Sequence, residues 1–366
     1  MSLHIAIIGS GQLAQMMAQS GRPMGFTFSF LAEQSDDIAC VQGLGDTIIR
    51  TDQTPQALFI ALGKPDVITV EKEHVDIELL AALSKLTHVA PNTRALEAFK
   101  NRHSEKAFLQ QNHIPIADYA VVTDKASLEQ AIQTLQKPIF VKTQEEGYDG
   151  YNQFKITKEN QHTIADDITF PGAWVAESFV AFDREISFLA ARNTKGDMTF
   201  YPCVENEHHN GTLIKSIAPA PNLPDAINQE GQAYLQRICE TLDYIGLVCM
   251  ECFLVGDKLI INEIAPRVHN SGHWTLKGVP TSQFENHIRA ISGLALGSTQ
   301  QTSPCGMLNL LGVTVTASDV TTPTNFLTLY GKAIKPKRKL GHITVMAQSE
   351  ADIKTELTRL HHIAYN

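Results

Sequence analysis

Residues 247–275 read LVCMECFLVGDKLIINEIAPRVHNSGHWT, and how this run folds decides how the rest of the chain is read. Two apolar segments, 247–255 and 258–261, flank Gly256 and Asp257, which spells two antiparallel strands joined by a tight turn. Glu251 and Glu263 then lie on neighbouring strands. Side chains alternate faces with a period of two, so the two carboxylates oppose each other only across a loop with an odd number of residues. A three-residue loop, Gly256-Asp257-Lys258, meets that condition and is expected. Two carboxylates and the Asn262 amide projecting from a sheet suit Mg²⁺, a hard ion held by few protein carboxylates together with substrate phosphates. A nucleoside triphosphate is the implied substrate. The alternative, two solvated acids on a half-exposed hairpin, fits poorly with acids set in runs as apolar as VCMECF and LIINEIA.

At 366 residues the chain exceeds one hydrophobic core, and two or three domains are expected. A net charge of −9 argues against a nucleic-acid partner. No apolar run approaches a membrane span, and MSLHIAIIGSG leads straight into a strand instead of a signal peptide, so the expected location is cytoplasmic. The six cysteines, at 40, 203, 239, 249, 252 and 305, lack the spacing of a disulfide framework and are expected to be reduced. Cys249 and Cys252 form a C-x-x-C inside an apolar strand, and His269 and His273 have H-x₃-H spacing without a Cys pair at zinc-finger distance; neither reads as a zinc or redox site, and substrate contact is the expected role of the two histidines.

Working outward, HIAIIGSGQLAQMMAQSG (4–21) is a buried strand, a glycine turn and an amphipathic helix, followed by a second strand at 26–33. Gly9, Gly11 and Ala14 fill the positions of a dinucleotide fingerprint and Glu33 stands where a ribose-binding acid would lie. On this stretch alone a nicotinamide oxidoreductase is an alternative. Further strands are expected at 66–71 and 87–91 with a helix between them. The acidic VEKEHV (70–75) ends a strand, where open α/β sheets bind ligands, which makes Glu71, Glu73 and His74 substrate candidates. A basic helical stretch at 95–113 carries Arg102 and Lys106. PIFVKTQEEGYDGYNQFKI (138–156) reads strand, glycine loop, strand, with Lys142 beside a loop whose N–H groups suit phosphate oxygens. WVAESFV (174–180) and FDREISFLAARN (182–193) are strands carrying Glu177 and Glu185, placed to hold adenine by its exocyclic amine and ribose by its hydroxyls.

The ordered set from Lys142 to Glu263 resembles the ATP-grasp superfamily and, within it, the N5-carboxyaminoimidazole ribonucleotide synthetase family. The matching stretches are GQLAQMM, VEKEHV, VKTQEEGYDG, ESFVAFDREIS, YPCVENEHHNG, NEIAPRVHNSGHWT, TSQFENHIRA, NLLG and LYGKAIKPKRKLGHITV; they run in order through nearly the whole chain. The implied fold class is α/β and α+β: an ATP-grasp fold with an N-terminal Rossmann-like (pre-ATP-grasp) domain and a small C-terminal domain. The expected boundaries are 1–95, 96–297 and 298–366. The resemblance implies ATP- and bicarbonate-dependent carboxylation of 5-aminoimidazole ribonucleotide in purine biosynthesis, by a homodimer using Mg²⁺ with ATP as co-substrate.

By the same resemblance Arg102, Lys142, Gly147, Tyr148, Asp149, Gly150, Gln153, Glu177, Ser178, Phe179, Val180, Glu185, His208, Asn262 and Glu263 hold the nucleotide, and Glu251 and Glu263 bind Mg²⁺. The ribonucleotide and bicarbonate fall to Glu73, His74, Tyr148, Asp149, Arg267, His269, Asn270, Lys332 and Arg338, with Lys142, Tyr148, Arg267, His269 and Asn270 at the chemistry. The KPKRK run (335–339) also suits a ribose phosphate on charge alone. Two departures stand out. The family's GGYDGRGQ is EGYDGYNQ in this chain, so Tyr151 and Asn152 replace a cation and a glycine, and Val268 stands where the family has proline. A formate-using ATP-grasp transferase, whose signature resembles EVSPRPHDTG, is the nearer alternative; HNSGHWT argues against it.

Overall fold

The structure, a computed structural model, describes residues 3–135, 138–144, 153–161 and 172–365. Among these the strands form three sheets. The first is parallel and built from β1 (His4–Ile8), β2 (Thr27–Ala32), β3 (Asp46–Ile49), β4 (Val67–Val70) and β5 (His88–Val89), in the order β3-β2-β1-β4-β5. Its strands are near-continuous apolar runs because both faces are covered: Ile5 and Ile7 pack with Leu13 and Met17 on one side, Ala6 and Ile8 with Leu58 and Leu80 on the other. Side-chain caps start the helices that follow, with Asp76, Asn92 and Asn101 accepting from the backbone N–H of Leu79, Ala95 and Ser104; each satisfies one orphan donor of a first turn.

A second, antiparallel sheet has the order β6-β9-β7-β8, from β6 (Tyr119–Val122), β7 (Ile139–Thr143), β8 (Gln153–Ile156) and β9 (Trp174–Ser178). Alternation divides its residues cleanly. Ile139, Val141 and Ala176 pack on the helix Lys125–Thr134, so Phe140, Lys142 and Glu177 face the other way, Phe140 standing directly across from Glu177.

The third sheet has nine strands. It comprises β10 (Arg184–Arg192), β11 (Met198–Phe200), β12 (Val204–His209), β13 (Thr212–Ala218), β14 (Gly246–Val255), β15 (Lys258–Ala265), β16 (Cys305–Leu311), β17 (Asn325–Leu329) and β18 (Lys339–Met346). β16 pairs with β13, so the C-terminal strands extend the sheet that carries the acidic hairpin. On β14, Met250, Cys252 and Leu254 bury against the helix Asp225–Leu242, which turns Glu251 and Phe253 to the opposite face. No helix among the described residues is long and apolar enough to cross a membrane. All six cysteines are free and buried.

The hairpin differs from expectation in an instructive way. Val255 pairs with Lys258, so the turn has two residues, Gly256 and Asp257, and Gly256 takes a left-handed φ of +61° that favours glycine. A two-residue turn should set Glu251 and Glu263 on opposite faces. They nonetheless pair, because the register shifts between Glu251 and Cys252: Asn262 is an inserted bulge residue, and it restores the phase.

One buried histidine joins the first sheet to the third. Leu247 N–H donates to His287 Nδ1 (3.1 Å), so Nδ1 is the acceptor, and Nε2–H donates to Thr69 Oγ1 on β4 (2.8 Å). Burial holds His287 down at about 4 and His342 at about 3. Both are neutral when folded and titrate near 6.5 when unfolded. Their contribution is therefore complete above pH 6.5 and is lost as pH falls toward 4, by up to about 1.4 kcal/mol per pH unit for each histidine. Urea unfolding between pH 7 and pH 4 should show that decline, and His287→Gln should flatten its slope by about one proton.

Candidate active site

Glu71 changes the reading of the N-terminal glycine turn. Its buried carboxylate accepts from Gly11 N–H (2.6 Å) and Ala14 N–H (2.9 Å), which are the donors a dinucleotide phosphate would use. A Cβ on Gly9 would lie 2.2 Å from Glu71 Cγ, so that glycine makes room for an internal acid. Glu33 is paired with Arg50 (3.4 Å). The fingerprint is genuine as backbone geometry, but its anion site is filled from within by Glu71, which also lines the cleft beside Gln12 and Lys332.

Two residues on, Glu73 enters a cleft of about 1460 Å³. All three sheets contribute to its walls, and the residues assigned above to nucleotide, metal and ribonucleotide line it wherever their side chains are described. Gln153 pairs through its backbone with Lys142. Gly147, Tyr148, Asp149 and Gly150, with the divergent Tyr151 and Asn152, lie outside the described residues.

Along one wall, Arg102 opens the helix Arg102–Gln111, and Lys142 Nζ lies 3.2 Å from Glu177 Oε2. Burial works to raise Glu177, but Lys106, Lys142 and Arg102 outweigh it and hold the carboxyl at about 2. That carboxylate faces two lysines, Lys106 and Lys142. Ser178, Phe179 and Val180 follow it along the same wall, Phe179 tilted against Phe140 with ring centroids 6.0 Å apart. Lys155 stands across from Phe140 with Nζ 5.9 Å from its ring, on the cleft-facing side.

The opposite wall is acidic. Glu251 faces Glu263 across the hairpin and Ser187 across β10, while Glu185 Oε2 bonds His208 Nδ1 (3.0 Å). Burial pushes Glu251 up to about 7; His208 opposes this, and Glu263 and Glu185 add to it. Burial likewise raises Glu105 to about 8, where it accepts from Ile264 N–H (3.1 Å) next to Glu263. Like charges forced together in a desolvated place are relieved by a cation. Among the described residues no group of three or more His, Cys, Asp or Glu is arranged to hold a metal by itself. Two carboxylates, an amide and a substrate phosphate are the donor set Mg²⁺ takes, so the residues fit the ion.

At the junction of the walls, Arg267 makes a two-pronged ion pair with Glu73, and its Nη1 donates to Val268 O (3.1 Å). His269 Nδ1 bonds Ser271 Oγ (2.9 Å) and lies 3.7 Å from Glu251; burial and Arg267 hold this imidazole neutral. Asn270 is buried on the cleft, and neither of its side-chain amide atoms has a hydrogen-bond partner among the described residues, a condition that calls for a partner. The segment is clamped by Gln283, which donates to His269 O (2.6 Å) and accepts from His269 N–H (2.9 Å). From the segment that joins β17 to β18, Lys332 reaches Gln12 Oε1 and Arg338 reaches Asp37 (2.8 Å), while His74 is exposed at the rim.

Sequence reasoning missed Gln12, Asp37, Gln283 and the part played by Lys106. For Lys106 a signal existed, since its spacing of four from Arg102 puts both on one helix face. For the others the partner is distant in sequence.

Comparison with known proteins gives three consecutive family matches: a ribonucleotide synthetase preATP-grasp domain over 2–100, an ATP-grasp domain over 107–284 and a phosphoribosylaminoimidazole carboxylase C-terminal domain over 305–356. The chain is 38% identical over 363 residues to the N5-carboxyaminoimidazole ribonucleotide synthase of Pseudomonas aeruginosa, covering 98% of each. It is 38% identical over 360 residues to that of Bacillus subtilis, covering 97% of this chain and 94% of the relative. The crystal structure of the synthetase from Thermus thermophilus superposes with a TM-score of 0.92 at 37% identity, over 99% of each chain. A synthase from Aspergillus clavatus, in complex with ADP and 5-aminoimidazole ribonucleotide, superposes with a TM-score of 0.88 at 26% identity, over 99% of this chain and 98% of that one.

Proposed function

The chain belongs to the N5-carboxyaminoimidazole ribonucleotide synthase family of ATP-grasp ligases, and from that we propose that its cleft gathers ATP, bicarbonate and 5-aminoimidazole ribonucleotide for purine biosynthesis. A bicarbonate oxygen attacks the γ-phosphorus, the bond to ADP breaks and carboxyphosphate forms. The ribonucleotide amine then bonds to the carboxyl carbon, directly or after release of CO₂ in the site; the bond to phosphate breaks, the amine loses a proton and phosphate leaves. The observation that carries this reading is the convergence on one cleft of two separate cationic pairs, Arg102 with Lys142 and Lys332 with Arg338, around one acidic pair. One cationic pair suits a triphosphate and the other a ribose phosphate.

In this reading Arg102 and Lys142 flank the ATP phosphates, and the backbone of Ser178 to Val180 takes the adenine edge. Arg267, His269 and Asn270 hold the carboxyl group and the amine, with Tyr148 and Asp149 of the glycine loop. Glu251, Glu263 and Asn262 would hold Mg²⁺, which when bound neutralises the β- and γ-phosphates. Positioning and charge neutralisation supply most of the acceleration, since phosphoryl transfer asks little covalent chemistry of a protein. The proposal includes domains at 1–95, 96–297 and 298–366, a homodimer, and a cytoplasmic location beside these substrates.

ADP release should require both the ribonucleotide and bicarbonate. Release that proceeds with formate in place of bicarbonate would favour the transferase alternative and overturn the reading. Lys332→Ala and Arg338→Ala should each raise the KM for the ribonucleotide at least tenfold while leaving that for ATP within about twofold, as loss of a charge-assisted contact to one substrate predicts. An equal rise for both substrates would detach these residues from the ribose phosphate.

A further inference from the structure

We infer that Lys106 is a positioning residue that stays with Glu177 as its counter-ion and so frees Lys142 to meet the phosphates of ATP. The inference rests on the cleft being the ATP site. Lys106 Nζ lies 3.4 Å from Glu177 Oε2 and Lys142 Nζ lies 3.2 Å from the same oxygen. One carboxylate oxygen therefore faces two ammonium groups. The two lysines are not equivalent: the Lys106 side chain is 3% exposed and that of Lys142 is 17% exposed. Lys106 comes from the helix Arg102–Gln111 and Lys142 from β7, beside the strand that carries Glu177.

That asymmetry assigns the roles. A lysine is a point charge on a flexible stem, and Lys142, the more open of the two, can turn from Glu177 to an incoming phosphate. Glu177 cannot follow, since its side chain is 8% exposed on the sheet. If Lys142 were its sole ion-pair partner, each binding event would leave a desolvated carboxylate with only the field of Arg102 to offset it, which is unfavourable. With Lys106 in place the carboxylate stays neutralised throughout.

The test is a double-mutant cycle on ATP binding, with adenosine as control and thermal melts of every variant. Lys106→Met, which keeps the stem and removes the charge, should weaken ATP binding on the order of 10²-fold by holding Lys142 to Glu177. Adenosine affinity should stay within about threefold, because no phosphate is involved. Adding Glu177→Gln removes the orphaned charge, so the double variant should recover ATP binding to within about tenfold of wild type, and Lys106→Arg should retain it. ATP binding by Lys106→Met equal to wild type would overturn the inference. So would a double variant that remains as weak as Lys106→Met, since Lys106 would then touch phosphate directly or serve only the fold. Should Lys106→Met fail to fold, the double variant, which buries no unpaired charge, decides alone. Failure of the wild-type protein to bind ATP would instead sink the reading of the cleft.

Discussion

Glu263→Ala is expected to lower kcat for ADP release by about 10³-fold or more while leaving the protein as stable as before, or more so. The bulge at Asn262 sets Glu263 directly across from Glu251, and burial with the neighbouring acids already pushes Glu251 up to about 7. Removing one of two crowded carboxylates relieves repulsion when no metal or nucleotide is added, so the melting temperature should hold or rise. With substrates present the balance reverses. The β- and γ-phosphates need a cation to offset their charge, and metal-assisted stabilisation of transition-state charge is worth several kcal/mol, which at about 1.4 kcal/mol per factor of ten gives the stated loss. A Mn²⁺ titration followed by electron paramagnetic resonance should show weakened binding in the variant with ATP present. Near-normal ADP release at ordinary Mg²⁺ would remove Glu263 from the metal site, and a large drop in melting temperature would mark its role as structural.

Much of this site could be read from the sequence because its residues fall in short runs with strong local character. LVCMECFLV and LIINEIA announce their strands through apolar content, and NEIAPRVHNSGHWT delivers Asn262, Glu263, Arg267, His269 and Asn270 in one stretch. What escaped was the phase between strands. Residue period, with the requirement that the two carboxylates share a face, favoured a three-residue turn, whereas the chain uses two residues at the tip and an extra one at Asn262; an insertion beside one strand and a longer loop leave the same alternation in the sequence. The glycine turn misled for a related reason. Gly9, Gly11 and Ala14 report that the backbone presents N–H groups to an anion, and they are silent on whether that anion is a ligand or Glu71, 60 residues from Gly11. The extension of the hairpin sheet by β16 to β18 was equally invisible, because β13 and β16 pair across a long stretch of intervening chain.

Glu73→Ala should be the most destabilising single change in the cleft, and its effect should be recoverable without activity. Arg267 and Glu73 form a two-pronged pair that is largely but not fully buried, 14% and 20% exposed at the side chains. Burial alone would raise the Glu73 carboxyl, yet the guanidinium holds it at about 2, while Arg267 is raised above its usual value by the same partnership against its own desolvation. Removing the acid leaves a buried guanidinium without its partner, at a cost of about 3–5 kcal/mol. Removing both charges together is far milder, since a buried pair often does little better than well-packed apolar groups of similar volume. Glu73→Ala should therefore lower the urea midpoint sharply, and adding Arg267→Met should restore most of it. Activity should follow the opposite course. If Arg267 holds the carboxyl group in transfer, the double variant regains stability and stays at least 10²-fold below wild type in kcat, as loss of a preorganised charge donor at the reacting group predicts. A double variant that recovers both stability and turnover would reduce Arg267 to a structural strut between the first sheet and the acidic hairpin.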